Sequence, residues 1–475
     1  MFQLTRYSAP LGLKWRSSVW FVTLVVGAEA LGYKDPSSLT GYLLLAFAAG
    51  LVFSTPPITW LSERFHSRRT LLLIGIVGLI GAQILFMLAP VYWVLVVARF
   101  LQGTSSTVIW TVGSALLCDT VPTSRIGQQF GIALTGLSFG SAIGPTIGGA
   151  LYNSLGFHAP FIFSLGLLGF DLILRFLVIE KRDAVRWGFD PTAACLQGGN
   201  NNNQDFDVET STSEPDTIKN KEKGLENETE IPADLSRNEI SHHQSSLQLM
   251  LTILKSKRAM AAALVILIYG IDIGMLEPTV PLRFQEIYGY TSLKVGLVFM
   301  GATFPTIISS AIAGILCDKL GTGLINAICF LLALPWFLIL AIHGPVALFI
   351  VALILLFFFL GSIPAPAMAE LAGVARSTKG IGYSHIYGVF NLAYGIGTAI
   401  GPLVASQLYD HVHNGFTVLL GLATFLLLLA LGFVVTWMGD VSLLMQVKHK
   451  LATRGTSSLA GATVEMELPS AIEVV

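Results

Sequence analysis

GGNNNNQDFDVETSTSEPDTIKNKEKGLENETE, residues 198–230, is the stretch that decides how the chain is organised. It lies in a polar run from Lys181 to Arg258 with few aromatic residues. Such a composition buries too little apolar surface to offset the entropy of ordering it, so residues 181–257 read as a disordered linker. On either side the sequence is a succession of apolar blocks of about twenty residues, the length that crosses a hydrocarbon layer of about 30 Å. The linker therefore divides two comparable membrane halves.

Composition agrees. Of 475 residues, 53% are hydrophobic and only 12% charged, and mean hydropathy is +0.70. A soluble domain carries about twice that share of charge. Much of the charge sits in the linker and after Asp440, so the apolar blocks are poorer still. The net charge of -1 says nothing about partners, because the sign asymmetry runs between loops; no nucleic-acid partner is expected. The four cysteines (Cys118, Cys195, Cys317 and Cys329) have no paired spacing, so neither a disulfide framework nor a metal site is implied. Met1–Arg16 is short and basic and runs directly into an apolar block, so no cleavable signal peptide is expected.

The expected spans are 17–34, 39–61, 70–90, 92–117, 127–151 and 160–179, then 258–280, 293–316, 323–342, 346–370, 381–408 and 416–439. They are called spans 1 to 12 below. The expected divisions are a cytoplasmic N-terminus (1–16), a first six-helix bundle (17–180), the linker, a second bundle (258–439) and a cytoplasmic tail (440–475). Lysine and arginine set the orientation. Arg6, Lys14, Arg16, Arg64, Arg68, Arg69, Arg125, the linker cations, Lys319, Arg376, Lys379, Lys448, Lys450 and Arg454 fall on one side; only Lys34, Arg283 and Lys294 fall on the other. Both termini are thus expected in the cytoplasm. Asn227-Glu228-Thr229 is a glycosylation sequon, expected to be unused on that side.

The halves carry similar punctuation. Thr59 to Arg64, followed by Arg68-Arg69, closes span 2; Gly314 to Gly321, containing Asp318-Lys319, closes span 8. Span 5 holds Gly140-x3-Gly144-Pro145-x2-Gly148-Gly149, and span 11 holds Gly397-x3-Gly401-Pro402. Parallel repeats related by an axis along the membrane normal are one architecture of secondary transporters.

These residues resemble the major facilitator superfamily, and within it the twelve-span drug:proton antiporters and vesicular-amine-transporter-like members of fungi. Arg99-x2-Gln102-Gly103 in span 4 is similar to the family's basic motif, which the resemblance associates with proton-coupled exchange. The span 5 glycines are similar to its antiporter motif. Leu61 to Arg69 is similar to its loop signature, with Thr59 in place of the usual glycine and Glu63 in place of the usual aspartate, while Asp318 keeps the aspartate. The resemblance implies two six-helix bundles related by a pseudo-two-fold axis. The chain departs from the family at Gly27–Leu39, where span 1 and the loop after it are compressed.

Several residues could carry chemistry. Arg99 lies about 10 Å below the outer surface at the helical rise. It reads either as a cation that shifts protonation of a nearby carboxylate or as a structural arginine bonded to backbone carbonyls. Asp171 and Arg175, four apart with the acid first, read as an intrahelical ion pair. Asp272 and Glu277 in span 7 are about 140° apart on an ideal helix and would not share a face unless Pro278 and Pro281, which follow, bend it; Pro281 is expected to interrupt the helical hydrogen bonding. An unpaired carboxyl at that depth favours its protonated form, as a proton carrier requires; helix-capping or interfacial roles are the alternative. Glu29 qualifies if span 1 crosses.

Asn391 and His385 could line the pathway, although Asn391 could equally bond across helices. Phe47, Trp110, Tyr269, Tyr387 and Tyr394 could contact an amphipathic or cationic substrate or serve as packing or interface anchors, and Glu370 should meet the loops at the inner end. Glu63, Arg64, Arg68 and Asp318 are expected to form ion pairs that lock a cytoplasmic gate, and the recurring glycines of spans 5 and 11 to form close-packed seams. There is no phosphate-binding glycine loop and no hydrolytic constellation, so neither an ATP-driven pump nor an enzyme is supported.

The resulting expectation is a monomeric, cofactor-free, proton-coupled antiporter in the plasma membrane, with a vacuolar or vesicular membrane as the alternative, that exports a small organic molecule such as a drug-like compound or secondary metabolite by alternating access. Facilitated or symport uptake of a solute such as a sugar, and a non-transporting receptor on the same scaffold, are the alternatives.

Overall fold

The computed structural model describes residues 36–65, 67–177, 246–290, 292–342, 344–378, 381–439 and 443–445. Span 1 with Glu29, residues 1–16, the linker up to residue 245 and nearly all of the tail lie outside these residues. Among the described residues the regular structure is all helical, and nine helices are long and apolar enough to cross a membrane.

In the first half, span 2 is Pro36–Arg64, span 3 Arg68–Met87, span 4 Tyr92–Thr120, span 5 Ile126–Leu155 and span 6 Ala159–Phe176. In the second, span 7 is Lys257–Tyr288, span 9 Thr322–Ala341, span 11 Tyr383–His411 and span 12 Gly415–Trp437. Spans 8 and 10 are each two helices. Ser292–Thr303 and Thr306–Leu320 meet at Phe304-Pro305, and Val346–Leu360 and Pro364–Ser377 meet at Gly361-Ser362-Ile363. A proline, which lacks the N–H that would continue the ladder, lies at each break: Pro305 in span 8, and Pro364 opening the second helix of span 10.

Span 7 runs past its expected end at residue 280. Its helix runs unbroken through Pro278 and Pro281 to Tyr288. A proline deletes one backbone bond, and here Val280, Leu282 and Phe284, all buried, pack the following turn in place. The helix ends where Gly289 takes φ +62°, a left-handed conformation that costs a residue without a Cβ little.

The apolar surface is used in two ways. Phe330, Phe337, Leu353, Leu356 and Leu427 are fully buried in the second half, and Leu43, Phe86, Leu95 and Phe161 form a core in the first. Ile162, Phe170 and Ile173 on span 6 are each about 60% exposed. Side chains of that kind in such number belong against lipid.

The two halves meet chiefly where span 2 packs on span 11 and span 5 on span 8. Exchanging the halves converts each pair into the other, as a pseudo-two-fold axis requires. Both meet near the end bearing Arg68, Arg125, Lys319 and Arg376, called the basic end below.

One correction concerns the linker. Its last part, Ser246–Leu254, is not disordered but helical. Leu249, Met250 and Ile253 are buried against spans 2, 7 and 11.

Candidate functional site

At the basic end each half supplies a carboxylate to the other. Glu63, in the last turn of span 2, accepts the backbone N–H of Ser384 at 3.0 Å, in the first turn of span 11. Asp318, near the end of span 8, accepts those of Gly127 at 2.8 Å and Gln128 at 2.7 Å, in the first turn of span 5. First-turn amides have no partner within their own helix and sit at the positive end of its dipole, so an anion there is favourable. The geometry explains a glycine: a Cβ on Gly382 would fall 2.2 Å from the Glu63 carboxyl.

Arg68 binds this clasp together. It pairs with Glu63 at 3.4 Å and Asp119 at 3.1 Å. It donates to the Ser62 hydroxyl at 2.7 Å and to that of Ser384, and the two hydroxyls are 2.7 Å apart. His385 is buried beside Glu63 and Arg68. Of the four residues expected to form ion pairs here, Glu63 and Arg68 pair with each other, Asp318 bonds backbone N–H groups instead, and Arg64 is exposed, its guanidinium over the Trp60 ring of its own helix at 5.1 Å. One helical step carries it from the seam to the outside.

Glu370, 2% exposed, accepts from Arg258 at 2.7 Å, from the Gly439 N–H at 3.0 Å and from the Thr322 hydroxyl. With Asp318 and Arg376 it lines a cavity of about 380 Å³ at the basic end.

Deeper in the seam, Asn391 of span 11 donates to Thr55 of span 2 at 3.3 Å and to Thr107 of span 4 at 3.2 Å. All three are at most 3% exposed. Ser54 adds a bond to Thr107 at 3.0 Å. Of the open alternatives for Asn391, the geometry realises the bond across helices. Tyr387 donates to the Met368 carbonyl at 3.2 Å and meets Cys118 of the first half at 3.1 Å.

The two span 7 acids have different surroundings, as their angular separation foretells. Asp272 is fully buried, and neither carboxyl oxygen has a hydrogen-bond partner among the described residues. Glu277 is exposed. It lies close enough to Tyr269 and Tyr394 to interact electrostatically with both, and those rings stack at 6.3 Å. Arg99 is built into the first half. It is 7% exposed, its guanidinium is 4.7 Å from the Phe86 ring centroid, and it starts a hydrogen-bonded chain across spans 4, 3 and 6. Arg99 donates to Gln102 at 3.1 Å, Gln102 to Gln83 at 2.9 Å, and Gln83 to Ser164 at 2.9 Å. Asp171 and Arg175 pair at 3.1 Å as expected.

The glycine motifs separate. A Cβ on Gly397 would lie 2.4 Å from the Leu267 carbonyl oxygen and one on Gly401 2.5 Å from that of Ile271, so span 11 packs backbone to backbone on span 7. Pro402 seats against Gly274 in the same contact. Span 5 does not use its motif in this way. Gly140 and Gly144 face open space, and the helix simply continues through Pro145, Gly148 and Gly149. The close approach lies nearer the basic end, where a Cβ on Gly131 would be 2.6 Å from the Ser310 carbonyl oxygen and one on Gly314 2.3 Å from that of Gly127. Spans 5 and 8 cross there, so glycines farther along are not in the crossing.

Sequence reasoning missed Ser384, Gly382, Asp119, Thr55 and Thr107. Each is an ordinary helix-end or mid-span residue until a partner from a distant part of the chain is placed beside it. Asp119, a lone charge ending span 4, was the single local signal.

Two helical bundles closed on one another at one end by exchanged carboxylates have the architecture of a membrane transporter. The family model described as Major Facilitator Superfamily matches residues 17–382 and 262–454, and the chain belongs to that family. An MFS-type transporter, ppzB, of Metarhizium majus is 29% identical over 78% of this chain and 84% of its own length. An uncharacterized MFS-type transporter, C18.02, of Schizosaccharomyces pombe is 28% identical over 78% and 81%. The synaptic vesicular amine transporter of Rattus norvegicus is 25% identical over 68% of this chain and 52% of its own. Among solved structures, the human organic anion transporter MFSD10 (TETRAN) aligns with a TM-score of 0.58 over 87% of this chain and 89% of its own, at 18% identity, a likeness of fold alone. The chain is thus a multi-pass membrane protein of a secondary-transporter family.

Proposed function

We propose that the protein is a proton-coupled antiporter that exports a small organic molecule from the cytoplasm, a drug-like compound or secondary metabolite, by alternating access. The observation that carries the reading is the closure of one end by the mirrored Glu63 and Asp318 clasps, with Glu277 exposed beside the stacked Tyr269 and Tyr394 farther along span 7. A carboxylate within electrostatic reach of two tyrosines suits an organic cation, which gains from both the charge and the ring quadrupoles. The same carboxylate can hold either the proton or the cation, which is the exchange an antiporter needs. Asp272, buried with no hydrogen-bond partner among the described residues, is the second proton-holding candidate, and Arg99 with its glutamine chain braces the first half. The basic end is assigned to the cytoplasm by its charge, and the plasma membrane is the proposed location. The protein is proposed to work as a monomer, and the likeness to an amine transporter favours the cationic substrate class.

The test is flux of amphipathic cations into proteoliposomes holding the full chain, with and without an imposed pH gradient. Accumulation should collapse with the gradient, and Glu277→Gln should abolish gradient-driven flux while leaving the thermal unfolding temperature within a few degrees. Full gradient-driven flux in that variant would remove Glu277 from the scheme. Flux indifferent to the gradient would favour uptake or uniport, and binding without flux would favour a receptor.

A further inference from the structure

Nothing in the scheme above uses the helix Ser246–Leu254. Its buried residues, Leu249, Met250 and Ile253, fall on one face, while Gln248, Leu251 and Thr252 are exposed. Two residues, Lys255 and Ser256, separate it from the start of span 7. They are drawn into a tight turn by bonds from the Lys255 N–H to the Thr252 carbonyl (3.2 Å) and from the Ser256 N–H to the Ile253 carbonyl (2.9 Å). The helix is therefore carried by the second half.

It nevertheless reaches the first. It packs on span 2 as well as on spans 7 and 11. At Gly388 of span 11, the position of an absent Cβ is 2.4 Å from the Met250 Cε, 2.5 Å from the Thr59 Cγ2 and 3.2 Å from the Thr55 Cγ2. A methionine from the linker end and two threonines from span 2 thus converge on one notch in span 11. Any side chain at position 388 would fill it.

We infer that this notch is a docking site for the chain's own segment 246–254, and that the seated helix is a latch holding the basic end closed. The inference rests on the alternating-bundle reading. Opening that end separates span 2 from span 11, and a helix tied to span 7 cannot follow both. Met250 must leave Thr55 and Thr59, exposing apolar surface that is covered only in the closed conformer. A ligand, modification or partner that draws the linker away would unseat the helix and favour opening. One that stabilises the helix would hold the end shut.

The test uses the full chain in membrane vesicles with Cys118 as sole cysteine (Cys195→Ser, Cys317→Ser, Cys329→Ser). A membrane-impermeant maleimide is applied to each face in turn. Cys118 is buried in the seam against Tyr387 and becomes reachable when the basic end opens. Met250→Asp should raise its labelling rate from that face about tenfold, equivalent to losing roughly half the burial of one methionine side chain. Leu251→Asp, on the exposed face, should leave it unchanged. Equal rates in Met250→Asp and its parent, with thermal stability retained, would overturn the latch.

If Met250→Asp does not fold, the pair Thr59→Cys and Met250→Cys serves. A reducible cross-link should form in the membrane and protect Cys118, whose labelling is read at its own peptide, and release it on reduction. A folded pair that fails to cross-link, or that labels as fast when linked, overturns the proposal. Labelling reads opening without reading transport. A labelling difference in a protein that moves no substrate would therefore sink the transport reading and leave the latch standing.

Discussion

Asp318→Asn tests the clasp most directly. In the native protein the carboxylate accepts two backbone N–H groups of span 5 with one oxygen each, at 2.8 and 2.7 Å, and carries a charge at that helix's N-terminus. Asparagine keeps the shape but has one acceptor oxygen, and its amide NH₂ would face an N–H. One hydrogen bond to a charged group, worth about 1.5–3 kcal/mol, is lost. The dipole interaction, about 0.3–1 kcal/mol at a partly exposed site, is lost with it. Solvent reaches the site and offsets part of this, so about 2 kcal/mol is the working figure, roughly a 30-fold shift from the closed toward the open basic end. Because the bond is made between halves, the loss should appear as conformational bias rather than unfolding. The sole-cysteine labelling of Cys118 reads that bias, and thermal unfolding of the same preparation controls for the fold. A folded Asp318→Asn protein in which Cys118 remains as protected as in the parent would refute the argument that exchanged carboxylates hold this end shut.

Asn391→Leu should shift the same equilibrium less, about fivefold, because Thr55 and Thr107 keep bonds to the Leu51 and Gly103 carbonyls and an interhelical bond in a membrane is worth about 0.6–2 kcal/mol. A shift larger than that of Asp318→Asn would show that the seam is held at its centre. Gly131→Ala places a methyl 2.6 Å from a backbone oxygen and must force spans 5 and 8 apart, whereas Gly140→Ala meets open space. The first should open the basic end or lower thermal stability, and the second should leave the closed conformer untouched. Equal labelling and melting in the two would contradict the crossing described here.

Much of this is legible in the amino-acid order. Runs of about twenty apolar residues leave a membrane helix as the one way to satisfy the backbone. Asp171 and Arg175 pair because their contact is local, and the pair Asp272 and Glu277 diverge because helical geometry requires it. Glu63 and Asp318 were singled out from matching punctuation in the two halves, but as members of ion pairs. Asp318 instead caps a helix from the other half, and Glu63 does both. Local pattern also misled. The helix Ser246–Leu254 was averaged into its polar surroundings, although Leu249, Met250 and Ile253 already sit at helical spacing. Nine residues alone are too short to be stable as a helix in water, so the seam that covers them decides their structure.

The amino-acid order by itself therefore determined the medium, the number and course of most spans, the division into halves and the residue types available at each end. Those properties follow from hydropathy, charge and helical period, which act over tens of residues. Tertiary structure alone decided which glycines form a crossing, that Arg64 stands outside while Arg68 gathers Glu63, Asp119 and Ser384, and that Asn391 reaches Thr55 and Thr107. Each of those joins residues brought together only when the two bundles dock. Docking depends on shape and hydrogen-bond complementarity between faces, which no local pattern encodes.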